Sequence, residues 1–249
     1  MHPQLPYLEI SQSYEKFISL VKRNKMKSIL LYSIFIFYFS IPSFSIPVLE
    51  YNSFRITSLM EQRAIEKKLK FYPEQSWVDI DDVTPNILKA IIAMEDGSFF
   101  THKGVDWKEL ETSIRTNRRR GRSARGGSTI TMQLAKNLFL TTEKSFLRKG
   151  KEFIISVRME KELSKKAILG NYINAVEWGE GIFGIKEASE EYFKKEPDKL
   201  TKGECSRLAA VIPSPLKHKP NMNSAYVLRR SSIIRGRMND IVLYPEKKL

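Results

Sequence analysis

"AMEDGSFFTHKG", residues 93–104, closes an apolar run on two acids and a glycine. Upstream, Thr84–Pro85 is a helix start: a capping residue followed by proline at the first helical position. Ile87, Leu88, Ile91 and Ile92 then recur at helical spacing and predict a helix over 85–96. Glu95 falls inside that apolar stripe, Asp96 falls at its margin, and Gly97 is expected at the C′ position. The two acids are therefore not equivalent. Burial disfavours a charged carboxyl and raises its pKa, which suits Glu95 to general acid or base work. Asp96 is better placed to bond nearby backbone or a basic group. The residues alone leave a second reading open, two solvated acids at a frayed helix end, although acids there oppose the helix dipole.

Working outward, further helices are expected over 106–117, 129–139, 145–162, 164–174, 184–193, 201–211 and 224–241, with glycine or proline at most junctions and little strand alternation. "RGGSTITMQLAKN", residues 125–137, is a glycine turn opening a helix that Ser128 or Thr129 can cap. Such a turn offers free N–H groups to an anion, and Lys136 lies near the face of Ser128, Thr129 and Gln133. An ordinary capped helix gives the same pattern, and the order of a P-loop is lacking. In "SFLRKGKEFIISVRMEKEL", residues 145–163, Phe146, Phe153, Ile154 and Val157 share one side. Glu152 stands four residues after Arg148 and three after Lys149, by itself a surface ion pair of ~0.3 kcal/mol.

Residues 28–49 carry no charge and are expected to cross a bilayer as one retained helix. Lys22, Arg23, Lys25 and Lys27 precede that run, so residues 1–27 are expected in the cytoplasm and the remainder outside. Residues 50–70 read as a helical linker and 71–245 as the main folded domain. The formal charge of +14 calls for an anionic partner, and the topology favours lipid headgroups and lipid-linked phosphates over nucleic acid. One cysteine excludes an internal disulfide, and with three histidines it makes a His/Cys structural metal site improbable.

Taken in order, these stretches resemble the peptidoglycan glycosyltransferases of the lysozyme-like superfamily, in particular the monofunctional biosynthetic type. Glu95, Asp96, Phe99, His102, Gly104 and Asp106 meet the family's first motif; Gly126 to Asn137 meet the second; Arg148, Lys149 and Glu152 meet the third. A fourth block runs from Glu160 to Phe193, and LAAVIPSP with Tyr226–Met238 completes the match over about 70–245. Lys144 stands where the family usually has arginine, which keeps the charge but loses the fork.

The resemblance implies a mainly α, lysozyme-like, two-lobed domain behind one N-terminal transmembrane helix, in the inner membrane. It implies polymerisation of lipid II, with the growing glycan chain as the other substrate. Glu95 would be the base and Glu152 the second essential acid, orienting the basic cluster or binding a divalent ion, Mg or Mn. Lys136, Lys144, Arg148, Lys149 and Lys151 would hold the pyrophosphate; Ser128, Thr129, Gln133 and Asn137 would complete substrate binding. Asp96, Phe99, His102, Gly104, Gly127 and Asn174 would support the site. Arg118, Arg119, Arg120, Arg122 and Arg125 would meet anionic lipid in a membrane-dipping jaw. Other cell-wall synthesis proteins are candidate partners; no organic cofactor, nucleic acid or transpeptidase domain is expected. The competing readings are a glycan-cleaving enzyme of the same superfamily and an inactive membrane-anchored scaffold. The cations around 136–149 argue against the first, and intact acids at 95 and 152 against the second.

Overall fold

The protein is described by a computed structural model covering residues 15–16, 18–19, 22–42, 44–53, 55–68, 75–121 and 126–244. The first fourteen residues of the expected cytoplasmic segment lie outside the described residues, as do Arg122 and Arg125 of the basic run. The chain divides into two compact units, Met1–Ser43 and Phe44–Leu249.

In the first unit, α1 (Lys25–Phe39) is a 15-residue helix, about 22 Å long at ~1.5 Å per residue. Hydrocarbon is ~30 Å thick, and no helix among the described residues is long and apolar enough to cross a membrane. The single helix expected over 28–49 is thus not observed. Ser40 ends α1 with its hydroxyl donated to the Phe37 carbonyl at 2.6 Å, and Pro42 has no N–H with which to extend it. Residues 44–49 instead join the second unit, where Ile46 and Leu49 are buried. Asn171 Nδ2 donates to the Leu49 carbonyl at 2.8 Å. The apolar run merges a helix with the first core residues of a folded unit, and hydropathy does not separate the two.

The stretch read as a linker holds α2 (Ser58–Glu66), capped by Thr57, which buries Leu59 and Met60 against Phe183. The Arg63 guanidinium forks onto both oxygens of Glu177 at 3.0 Å each, tying α2 to the far end of the unit. The eight helices expected from periodicity are all present: α3 (Pro85–Glu95), α4 (Trp107–Arg120), α5 (Ile130–Phe139), α6 (Phe146–Glu162), α7 (Lys165–Ala175), α8 (Ile185–Phe193), α9 (Lys202–Val211) and α10 (Ala225–Arg237). They pack as two groups. Helix α3 lies against α9 and α10, and α5 against α2, α6 and α7.

Helix α7 buries polar as well as apolar groups. Asn174 is fully buried, with Nδ2 donating to the Val78 and Gly170 carbonyls at 2.9 Å and Oδ1 accepting from the Val78 N–H at 3.0 Å. It clamps the segment before α3. Between α7 and α8 lies a small antiparallel hairpin, β1 (Glu177–Gly179) and β2 (Ile182–Phe183), which alternation did not signal. A strand of three residues is too short to show a period. Gly179 is required there because a Cβ would stand 2.1 Å from the Tyr192 hydroxyl.

Helix α6 corrects a second expectation. Its buried face is Glu152, Ile155, Ser156 and Met159, whereas Phe146, Leu147, Ile154 and Val157 face solvent. Phe146 is 99% exposed and Glu152 only 2%. The Arg148–Glu152 and Lys149–Glu152 pairs are therefore largely buried around the carboxylate, and not surface ion pairs.

Candidate active site

Helix α3 ends at Glu95, and Asp96 leaves the helical conformation. Gly97 follows without the left-handed φ expected at C′; the turn is closed by the Phe99 N–H bonding the Asp96 carbonyl at 3.0 Å. Glu95 keeps the direction of the apolar stripe. Its Oε2 accepts from Gln133 Nε2 at 2.6 Å, while Oε1 is sealed from solvent without a protein partner. Burial pushes its carboxyl above the ordinary carboxylate range, against the opposing pull of the Gln133 bond and of the Arg230 and Lys136 charges. Gln133 is held in turn: the hydroxyl of Tyr172 on α7 donates to its Oε1 at 3.0 Å.

Asp96 does what its marginal position allows. It is 7% exposed and accepts from His102 Nε2 at 2.9 Å and from the Ile130 N–H at 3.0 Å. That N–H opens α5, so a carboxylate sits at the positive end of the helix dipole. Thr129, not Ser128, caps α5: its Oγ1 accepts from the Met132 N–H at 3.1 Å and donates to the Gly104 carbonyl at 2.6 Å. Gly104 has φ +89°, and a Cβ there would lie 2.8 Å from the Ser156 carbonyl oxygen. The His102 loop can thus press onto α6 only through glycine. Phe99 is buried beneath it, with Lys165 Nζ 4.4 Å from its ring centroid. Gly127 lies against Leu110 and Ser113 of α4. These contacts fix the register between the end of α3 and the start of α5.

The basic cluster forms where α5 meets α6. Glu152 accepts from Arg148 on one oxygen and Lys149 on the other, and Lys149 Nζ also reaches Ser128 Oγ at 2.9 Å. Lys136 shares this neighbourhood. Burial lowers its pKa, with Glu152 pulling it up and Arg148 and Lys149 pushing it down. Three cations thus surround one buried carboxylate and leave an excess of positive charge beside the Glu95 site. Lys151, between Lys149 and Glu152 on α6, is half-buried, and Lys144 is exposed in the loop before α6. Both Glu152 oxygens already carry cationic partners. Among the described residues no group of three His, Cys, Asp or Glu is placed to hold an ion. The Glu152 carboxylate is thus the counter-charge to two of the cluster's cations.

Glu95 opens on a cavity of about 960 Å³ lined by α3, α4, the 126–129 turn and α10, with Ser128, Thr129 and Gln133 on its wall. A second cavity of about 320 Å³ shares Gln133 and Pro213 with it and adds Lys136, Asn137, Arg63 and Lys217. Asn137 is buried with its Oδ1 unpartnered.

The transglycosylase family model matches residues 61–239 of this chain. The chain belongs to the transglycosylase family. It is similar to proteins named biosynthetic peptidoglycan transglycosylase. That of Paraburkholderia xenovorans is 38% identical over 205 residues, 81% of this chain and 84% of the relative. The Janthinobacterium protein is 40% identical over 178 residues, 72% and 77% of the two chains. The Cupriavidus metallidurans protein is 46% identical over 142 residues, 57% and 61%.

Several residues of the transglycosylase cavity escaped the sequence reading. Arg230 of α10 lines it beside Glu95, with Nη1 donating to the Tyr226 hydroxyl at 3.1 Å and Nη2 to Met94 Sδ at 3.5 Å. Arg237 and Glu109 also line it, together with Asp106 of the first motif and Arg120 of the basic run, which the sequence did single out. Tyr172 reaches the site only through Gln133. Arg230 and Tyr172 both lie in family-like segments, but nothing local in either segment indicates a partner 136 or 39 residues away.

Proposed function

We infer that this transglycosylase polymerises lipid II into linear β-1,4-linked glycan strands, inverting the anomeric carbon and releasing undecaprenyl pyrophosphate. The observation that carries the reading is the pairing of a buried, half-partnered carboxylate with a nearby surplus of cations. In this mechanism the Glu95 carboxylate accepts the proton of the acceptor's 4-hydroxyl. The oxygen attacks the anomeric carbon of the growing chain from the opposite side. The bond to the lipid pyrophosphate breaks, and its electron pair leaves on the phosphate oxygen. Raised basicity from burial suits Glu95 to that proton transfer near neutral pH. Lys136, Arg148 and Lys149 hold and neutralise the leaving group, with Glu152 keeping them apart and oriented. Ser128, Thr129 and Gln133 line the sugar side, and Lys144 and Lys151 extend the positive surface toward the diphosphate.

The reading extends to the membrane. The uncharged stretch of α1, with Leu30, Phe35 and Phe39 exposed, supports an N-terminal anchor with a cytoplasmic start and an extracytoplasmic catalytic unit. Trp107, Phe146, Leu147, Ile154 and Val157 are exposed on α4 and α6, with Arg118, Arg119 and Arg120 at the end of α4. They suit contact with acyl chains and anionic headgroups.

The test is a lipid II assay in detergent. The wild-type chain produces polymer, and Glu95→Gln produces none while retaining the helical signal of the fold. Normal polymerisation by that variant overturns the assignment of the base. Shortening of preformed glycan without polymer formation overturns the reaction.

A further inference from the structure

The Glu95 carboxylate has two oxygens in different situations, and a residue outside the cavity decides which is which. Gln133 can present either end of its amide to Glu95. In the structure the N–H end faces Glu95 Oε2 at 2.6 Å and the carbonyl end accepts from Tyr172 at 3.0 Å. Tyr172 is fully buried, and among the described residues its hydroxyl is bonded to Gln133 alone. Turning the amide over would set the N–H end against the phenol, whose own hydrogen would then have no acceptor among the described residues around a fully buried hydroxyl. It would also set a carbonyl oxygen against Glu95 Oε2, which is tolerable only when Glu95 carries a proton. Burial holds the phenol's pKa well above its ordinary value, so it remains a donor at every working pH.

We propose that Tyr172 is a positioning residue for the base: its hydroxyl locks the Gln133 amide with the N–H end toward Glu95, holding the carboxylate in its ionised form for the acceptor hydroxyl. The proposal rests on the polymerase reading above. The lock serves the ionised carboxylate and denies the protonated form a hydrogen-bond acceptor on Gln133. Without it, the amide turns and accepts from protonated Glu95, so the base becomes harder to ionise. The other charges facing Glu95 are Arg230 from α10, Lys136 from α5 and Asp96 beside it, and none of them changes with the lock.

The experiment uses the full chain in detergent micelles with lipid II, and follows kcat/KM against pH for wild type, Tyr172→Phe, Gln133→Met and the double variant. Thermal unfolding confirms the fold of each. Tyr172→Phe is expected to move the acid limb upward by about half a pH unit or more, with the high-pH plateau within about threefold of wild type. Adding it to Gln133→Met is expected to move the limb no further, because the hydroxyl acts only through the amide. A 13C titration of Glu95 in labelled protein reads the same shift without substrate. If the phenylalanine variant does not fold, 3-fluorotyrosine at 172, a near-isosteric and stronger donor, is expected to move the limb down. An unmoved limb and titration, or additive shifts in the double variant, overturn the proposal. Absence of polymer from the wild type refutes the polymerase reading instead, and leaves the Glu95 titration to decide the lock.

Discussion

Asp96→Asn separates the two neighbouring acids by their effects. The wild-type carboxylate accepts from the Ile130 N–H on Oδ2 and from His102 Nε2 across both oxygens, at 2.9 and 3.0 Å, in a site 7% exposed. Asparagine keeps one acceptor and replaces the other with a donor. If its oxygen stays on Ile130, its N–H2 faces a donor on His102. The imidazole can move its hydrogen to Nδ1, but that nitrogen is buried without a partner. Either way one buried N–H is orphaned, at about 1–3 kcal/mol. Losing the charge at the start of α5 adds about 0.3–1 kcal/mol. A total of about 1.3–4 kcal/mol corresponds to a Tm lower by about 3–16 °C for a unit of this size. Circular dichroism at the helix band measures it on the full chain, with polymer formation assayed below the new midpoint. Asp96→Asn is expected to melt early yet still make polymer, whereas Glu95→Gln makes none and melts no earlier than wild type. A melting point for Asp96→Asn within about 1 °C of wild type would refute the clamp. Equal loss of stability in both variants would refute the division of roles.

Gly104→Ala places a Cβ 2.8 Å from the Ser156 carbonyl at φ +89°, and strains the loop that bonds Thr129. A loss of about 2 kcal/mol or more is expected in urea unfolding, and an unchanged midpoint would show that the loop relaxes freely. Glu95→Gln is expected to raise the Tm at neutral pH. The folded-state pKa of Glu95 lies above its unfolded value, so its protonated form favours the native state below the unfolded pKa. That contribution is lost as pH rises through the folded pKa, and glutamine, which never ionises, does not lose it. The gain over wild type should therefore disappear toward pH ~4, below the ordinary carboxylate pKa; a gain independent of pH would contradict burial as its source.

The helices were legible because periodicity and caps are local. Thr84–Pro85, Asp106, Thr129, Ser145, Ser164, Thr201 and Ser224 each cap the helix that follows, and all eight expected helices lie within a few residues of their predicted bounds. The phase of α3 gave the two acids different directions, and Asp96 does bond a backbone N–H and a basic group, but it is the more buried of the two, at 7% exposed against a half-buried Glu95 on the cavity wall. Where the reading failed, hydropathy could not tell one apolar environment from another. Residues 28–49 merged a 15-residue helix with core residues Ile46 and Leu49. The apolar side of α6 faces solvent because the interior there is taken by a carboxylate and its cations.

By itself the sequence determined the helical order, the separate directions of the two acids and, through its ordered motifs, the family. These depend on spacing along the chain, which is fixed by covalent geometry. Only the tertiary structure decided that Glu95 has one free oxygen, that Glu152 is buried among cations, and that Arg230 and Tyr172 stand at the site. Those are contacts between residues 38, 39 and 136 positions apart, or changes in burial, and no local pattern encodes them. The surroundings that raise the basicity of Glu95 exist only once α3, α5, α7 and α10 have packed together.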